Sequence, residues 1–471
     1  MTSAIQQLLA NLPPAIQVTD PDVLATYLTD FRHKYTGCTA AVLKPRTTDE
    51  VVNIVRACNA HNVPLVPQGG NTGYCAGATP DDSGDQIVIS LERLNQIRHF
   101  DPDNRSITVE AGMVLSDIQD HCENHGLLCP LALGSQQSCQ IGGNISTNAG
   151  GVNVVRYGMS REMVLGLEVV LADGSVLDTL SPLRKDNTGY AVDQLFIGAE
   201  GSLGIITAAT LKLQSLPKQR FTGFLAVASR QCLPKLLSDI QAETGDLVSS
   251  FEYMAADAIQ HLLNKKPEHR LPVSSGHRHY VLIELGTSAS KLPLTDLAEA
   301  ALAEQIEANI VLDAAVASNE AQRAAFWAIR ESIPEGEVLN GASVKHDVAV
   351  SVSNLPSFID QAAGIVTSTG PGCRLSIYGH VGDGNVHFNV LCPEGSNEID
   401  HTWIEVNLSP HIYELAAKMH GTFSAEHGIG QVKLALNAQY GNAKKQALMR
   451  DIKRALDPNN LMNPGKMLPL G

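Results

Sequence analysis

Pro67-Gln68-Gly69-Gly70-Asn71-Thr72-Gly73 follows the short apolar run Val63-Pro64-Leu65-Val66. The run reads as a strand and the seven residues after it as a loop, because glycine and proline punctuate a chain and small residues let it turn tightly. Continued through Tyr74-Cys75-Ala76-Gly77, the loop lets successive backbone N–H groups converge on an anion. A second segment of this character runs from Gly134 and Ser138 through Gly142-Gly143-Asn144 and Thr147-Asn148 to Gly150-Gly151. A third, Gly198-Ala199-Glu200-Gly201-Ser202-Leu203-Gly204, precedes strand-like Ile205-Ile206. Any one of these alone is an ordinary turn; three in one region point to a phosphate-bearing cofactor. None carries the Gly-x-x-x-x-Gly-Lys-Ser/Thr spacing of a P-loop, and none gives strand, Gly-x-Gly-x-x-Gly and helix in Rossmann order.

Outward from the first loop, Val51, Ile54, Val55 and Ala60 form an apolar helical stripe, with Thr48 as the expected cap and Asp49 and Glu50 suited to the positive end. Gln86 to Leu91, Ser106 to Ala111 and Gly204 to Leu213 read as strands, and Val114 to His125 as a helix. Asp173-Gly174 between apolar runs is a hairpin signal. After the boundary at Leu216-Pro217-Lys218-Gln219, helical Cys232 to Gln241 and Thr295 to Ala308 alternate with strand-like Tyr280 to Glu284, giving a second α+β unit. From His411 onward the chain is helix-rich and stops at Asp457-Pro458-Asn459-Asn460. The expected domains are 1–216, 217–410 and a C-terminal helical segment, 411–471, completing the site.

A length of 471 residues exceeds a single core and predicts two or three domains. The net charge of −15 excludes a nucleic-acid surface, which needs a basic face. No apolar run is long enough to span a bilayer. The nine cysteines form no Cys-x-x-Cys pair, so zinc ribbons and iron–sulfur clusters lack their spacing. Scattered thiols and the absence of a signal-like pattern over Met1 to Pro13 give a cytoplasmic protein as the expectation.

Two further segments carry chemistry: Tyr378-Gly379-His380-Val381-Gly382-Asp383-Gly384-Asn385-Val386-His387-Phe388-Asn389, and Ser424-Ala425-Glu426-His427-Gly428. Neutral imidazoles and an ionised carboxylate are good ligands for a divalent transition ion. A lone histidine in a strand is more often a core or surface residue, and Gly-Asp-Gly-Asn alone is a common tight turn.

Together, the loops at Pro67 to Gly73, Gly142 to Gly151, Arg156-Tyr157-Gly158 and Gly198 to Gly204, with Arg184-Lys185-Asp186-Asn187-Thr188-Gly189-Tyr190 and Leu461-Met462-Asn463-Pro464-Gly465-Lys466, resemble the vanillyl-alcohol oxidase flavoprotein superfamily. Within it, the chain is most similar to the D-2-hydroxyglutarate dehydrogenases and their D-lactate and glycolate oxidising relatives. The resemblance runs from Leu43 to the end. It implies an α+β fold with a two-subdomain FAD-binding domain, an α+β substrate (cap) domain and the helical C-terminal segment.

It also implies FAD contacts from Pro67, Gln68, Gly69, Gly70, Asn71, Thr72 and Gly73, and from Gly134, Ser138, Gly142, Gly143, Asn144, Thr147, Asn148, Gly150 and Gly151. Glu200, Gly201, Gly204, Ile206 and Asn463 would complete the site. Asn71 stands where some relatives carry a flavin-linking histidine, and an amide cannot form that bond, so the expected FAD is non-covalent.

The resemblance assigns His380, His387 and Glu426 to a divalent metal, Zn2+ first by ligand type and Mn2+ next. His427, with an unperturbed pKa near neutral, becomes the general base. Arg330 and Lys345 would hold substrate carboxylates. Asn389, on one strand face with His387, would hydrogen-bond substrate. Without the resemblance, Arg330 reads as an ordinary helix ion pair. One departure is Pro334, four residues after that arginine, where D-2-hydroxyglutarate dehydrogenases can carry threonine.

The expected activity is oxidation of a D-2-hydroxy acid, D-2-hydroxyglutarate first and D-lactate second. An electron-transfer flavoprotein or quinone would be the acceptor, and a homodimer is a candidate assembly. The alternatives are a glycolate oxidase-type flavoprotein subunit and an alkyldihydroxyacetonephosphate synthase-like transferase. The latter needs a hydrophobic tunnel and a membrane surface, which the acidic balance and the absence of a basic amphipathic helix disfavour.

Overall fold

The computed structural model describes residues 3–395 and 399–468. Met1, Thr2 and residues 469–471, the extremes of the expected first and last domains, lie outside them. The chain divides into two compact units. One comprises Met1–Gly150, Gly158–Ser215 and Glu426–Gly471; the other comprises Gly151–Tyr157 and Leu216–Ala425.

The first unit is built on two small sheets. In one, Leu65–Gln68 and Val42–Leu43 flank Ile87–Ser90 in parallel, and Gln17–Val18 adds an antiparallel edge. The central strand is buried at every position, as expected where both faces are covered. Pro67 and Gln68, read from sequence as loop, extend this strand and sit opposite Ile89 and Ser90. Proline is tolerated there because its strand is the last of the sheet and its outer side is bridged only at Leu65. The helix Thr48–His61 buries Val51, Ile54, Val55 and Cys58. Its cap is Thr47, whose hydroxyl accepts the N–H of Glu50, and not Thr48. The Thr48 hydroxyl instead donates to Glu168 at 2.7 Å. The C-terminal stretch returns to this sheet: Leu65 donates to the carbonyl of Leu461 at 2.8 Å and Asn463 donates to that of Leu65 at 2.8 Å.

The second sheet is antiparallel, in the order Ile97–Asp101, Ser106–Glu110, Ile205–Lys212, Val164–Val170, Val176–Asp178. The last two strands form the hairpin expected at Asp173-Gly174, with Gly174 at φ +76°.

The second unit centres on one seven-stranded antiparallel sheet. Its order is Val311–Val316, Gln219–Val227, His279–Thr287, Val248–Ala255, Arg374–Gly379, Asn385–Leu391, Ser343–Ala349. Every residue of Val248–Ala255 is buried, Glu252 included. The helix Glu320–Leu339 supplies Phe326, Trp327, Ile329 and Ile333 to the core beside this sheet. Asn319 caps it, accepting the N–H of Gln322 at 3.0 Å. Pro334 lies inside this helix and has no N–H to return to the carbonyl of Arg330.

Candidate active site

In the first unit the three glycine segments line one open cleft. Pro67 to Gly73, Gly142, Gly143, Asn144, Thr147, Glu200, Gly201, Gly204 and Ile206 all face it. Gly134, Ser138, Asn148, Gly150 and Asn463 are not in the lining, and Gly151 belongs to the second unit.

Several glycines are required by contact. A Cβ on Gly70 would stand 2.1 Å from the carbonyl oxygen of Ser138, and one on Gly142 would stand 2.6 Å from Ala111 Cβ. The cleft wall also holds buried acceptors without a hydrogen-bond partner, Oε1 of Gln140 and Oδ1 of Asn144. Close-approaching backbone and open polar atoms are what a hydrogen-bonding nucleotide needs, so these residues fit FAD.

Asn463 works behind the wall and Glu200 from within it. Asn463 Nδ2 donates to the carbonyls of Gly77 at 2.9 Å and Glu200 at 2.7 Å, tying the C-terminal stretch to two glycine segments. The Glu200 carboxylate accepts the N–H groups of Ile429 and Gly430 at 2.7 Å each. Burial raises its pKa, and those two bonds and Lys433 oppose the rise. Glu200 thereby fixes the segment that carries His427, which itself lines the cleft. The Tyr74 hydroxyl is pushed up by burial; the Arg32 charge opposes this and Glu426 adds to it.

The second unit brings His380 and His387 together. A ring nitrogen of each lies within 4.8 Å of the other, and the ring centroids are 5.4 Å apart. The antiparallel turn between Arg374–Gly379 and Asn385–Leu391 produces this, helped by Gly379 at φ +155° and Gly384 at φ +89°. Glu252 Oε1 lies 2.7 Å from His380 Nδ1. Its Oε2 accepts from Arg330 Nε at 2.8 Å, and Arg330 Nη2 lies 2.8 Å from the same oxygen as an ion pair. Burial alone would raise the Glu252 carboxyl, but His380 and Arg330 bring it down to about 2. Arg330 therefore pairs with a carboxylate from a distant strand rather than with a neighbour on its own helix, and its guanidinium lies 4.9 Å from the Tyr378 ring centroid.

Lys345 and Asn389 are cross-strand partners, and so are Asp347 and His387. The buried Glu337 carboxylate collects the first pair: Asn389 Nδ2 donates to it at 2.8 Å and Lys345 Nζ lies 3.7 Å away. Asn389 Oδ1 is buried without a partner. Glu252, Glu337 and Asp347 were not singled out from sequence. The available signal was a carboxylate inside a strand or helix face that is otherwise buried. His346, between Lys345 and Asp347, is structural, held by the carbonyl of Phe388 and the hydroxyl of Ser409 at 2.8 Å each.

Glu426 and His427 open the last segment of the first unit, directly after Ala425. Ala425 itself donates its N–H to the carbonyl of Asp347 at 3.3 Å.

Comparison with known proteins decides the family. Residues 216–467 match the C-terminal domain of FAD linked oxidases, and residues 39–180 match an FAD binding domain. The chain belongs to the FAD-linked oxidase family. It is 40% identical over 96% of its length to a protein of Oryza sativa subsp. indica, covering 79% of that relative. That relative is named "Probable D-2-hydroxyglutarate dehydrogenase, mitochondrial". It is 37% identical, again over 96% of its length and 79% of the relative, to "D-2-hydroxyglutarate dehydrogenase, mitochondrial" of Arabidopsis thaliana. A solved p-cresol methylhydroxylase with substrate bound shares the fold at TM-score 0.76 and 16% identity, covering 99% of this chain and 96% of that one.

This FAD-linked oxidase is thus an FAD-dependent oxidoreductase of mixed helix and sheet, as its glycine loops led one to expect. The cytoplasmic expectation is overturned by the comparison, because both of these relatives are named as mitochondrial proteins. No helix among the described residues is long and apolar enough to cross a membrane.

Proposed function

We propose that this oxidoreductase converts a D-2-hydroxy acid to the 2-oxo acid, with D-2-hydroxyglutarate the first substrate and D-lactate the second. The relatives' names support the first choice. Pro334 favours keeping the second, because proline lacks the hydroxyl that such relatives can place there. The observation that carries the reading is the pair of imidazoles at 380 and 387, one of them oriented by a buried carboxylate that also pairs with Arg330.

His380, His387 and Glu426 would hold a divalent ion, zinc before manganese. The donor set is chemically suited: two imidazole nitrogens and a carboxylate leave positions open on the ion. The hydrogen bond at His380 Nδ1 leaves Nε2 as the ligand atom, as metal-binding histidines are usually arranged. Glu426 follows Ala425, whose N–H bonds the strand bearing Asp347, the cross-strand partner of His387.

When bound, the ion supplies Lewis acidity towards the substrate hydroxyl and FAD supplies the acceptor for the C2 hydride. Arg330 and Lys345 orient the carboxylates, and Asn389 offers its open Oδ1 and its amide to the substrate. His427 takes the hydroxyl proton, so the alcohol loses one proton and one hydride. FAD is held without a covalent link, and the electrons pass to an electron-transfer flavoprotein or a quinone.

Anaerobic addition of D-2-hydroxyglutarate should bleach the flavin, D-lactate should do so less efficiently, and the L-acids should not. A flavin unchanged by every D-2-hydroxy acid would refute the reading. Chelation with EDTA should slow the reduction.

A further inference from the structure

We propose that Glu252 is the positioning residue that holds His380 in its ligating form and locks it to Arg330. The proposal rests on the metal reading above and goes beyond it, because Glu252 is neither a ligand nor a substrate contact.

Glu252 sits in Val248–Ala255, a strand buried throughout, where a carboxylate is costly unless it is fully paired. Each of its oxygens has its own partner. Oε1 meets His380 Nδ1 at 2.7 Å. Oε2 meets Arg330 Nε and Nη2, both at 2.8 Å. An ionised carboxylate only accepts hydrogen bonds, so it places the imidazole proton on Nδ1 and makes Nε2 the nitrogen that carries the lone pair. That fixes the tautomer and the ring plane before any ion arrives.

The same carboxylate accepts from Arg330 Nε and stands 2.8 Å from its Nη2. The Tyr378 ring, 4.9 Å away, lies against the same group. The plane of the fork and the direction of its remaining Nη1 are therefore set from two sides. One buried side chain thus joins the group that grips the ion to the group that grips a substrate carboxylate. Disturbing it should weaken both grips together.

The test uses the full-length, FAD-loaded chain stripped of metal, with zinc ion as probe and a chromophoric chelator as competitor. Glu252→Gln should bind zinc about 10- to 100-fold more weakly than wild type. Its KM for D-2-hydroxyglutarate should rise as well, with FAD content unchanged. If Glu252→Gln does not fold, Glu252→Asp replaces it. Aspartate keeps the charge that Arg330 needs but is one methylene too short to span both partners, and the same loss of zinc affinity is expected. Unchanged zinc affinity in a folded variant, with only the unfolding temperature lowered, would show a merely structural glutamate and overturn the inference while the metal reading stands. Failure of wild type to bind zinc would overturn both.

Discussion

The ring of Tyr74 stands edge-on to the imidazole of His427, with the centroids 4.7 Å apart. Glu200 pins the backbone two and three residues further on through Ile429 and Gly430. His427, which lines the cleft, is thus held from its ring side and from its chain side. His427→Ala should leave FAD bound, because the three glycine segments supply most of the cleft lining. Flavin reduction by D-2-hydroxyglutarate should slow by about 10²- to 10⁴-fold, the usual worth of a positioned base. Stopped-flow absorbance measures this, and near-normal reduction would remove His427 from the chemistry.

The glycine loops make a steric prediction. Gly70→Ala would drive a methyl group against the Ser138 carbonyl oxygen at 2.1 Å and the Cys139 Cα at 3.0 Å. Both are backbone atoms, so a strand or loop has to move, at a cost of about 1–3 kcal/mol. The expected result is a lower flavin-to-protein ratio after gel filtration and a lower unfolding temperature. Gly134→Ala is the matched control, since nothing stands within 4 Å of its added methyl. Equal behaviour of the two variants would show that packing at Gly70 does not set the cradle.

These loops were legible because the requirement is local: a backbone that must approach closely is written as glycine at each position. The Thr48–His61 helix was legible for the same reason, but its cap was misplaced by one residue. Two adjacent threonines offered a hydroxyl, and only the distant Glu168, reached by Thr48 at 2.7 Å, decides between them. Glu252 was invisible on the same grounds. Its partners lie 78 and 128 residues away in the chain. What the sequence displays is one acid in an apolar run, without the strand register that aims it.

Asn71 gives a prediction about the cofactor bond. Its Nδ2 donates to the carbonyl of Thr29 at 2.8 Å, and its backbone adopts φ +51°. An amide in this place has no nucleophilic ring nitrogen to offer a flavin. Acid precipitation of the purified protein should therefore leave the yellow colour in the supernatant. Colour retained by the pellet would show a covalent link at another residue.

His279 sets part of the acid limit of the second unit. It begins the strand His279–Thr287, and its Nδ1 lies 2.8 Å from the Tyr253 hydroxyl. Burial pushes its imidazole down from 6.5 to about 4; Arg230 and Arg278 add to the fall and Asp360 opposes it. Between those two pH values the unfolded imidazole carries a proton that the folded one refuses. Stability therefore rises with pH across this window, is complete above 6.5 and is lost as pH falls towards 4. His279→Asn keeps a side chain able to bond Tyr253 but does not titrate there. Its unfolding temperature should decline less steeply than that of wild type as the pH is lowered through the window. Parallel declines in the two proteins, followed by differential scanning calorimetry, would mean that the proton taken up on unfolding belongs to another group.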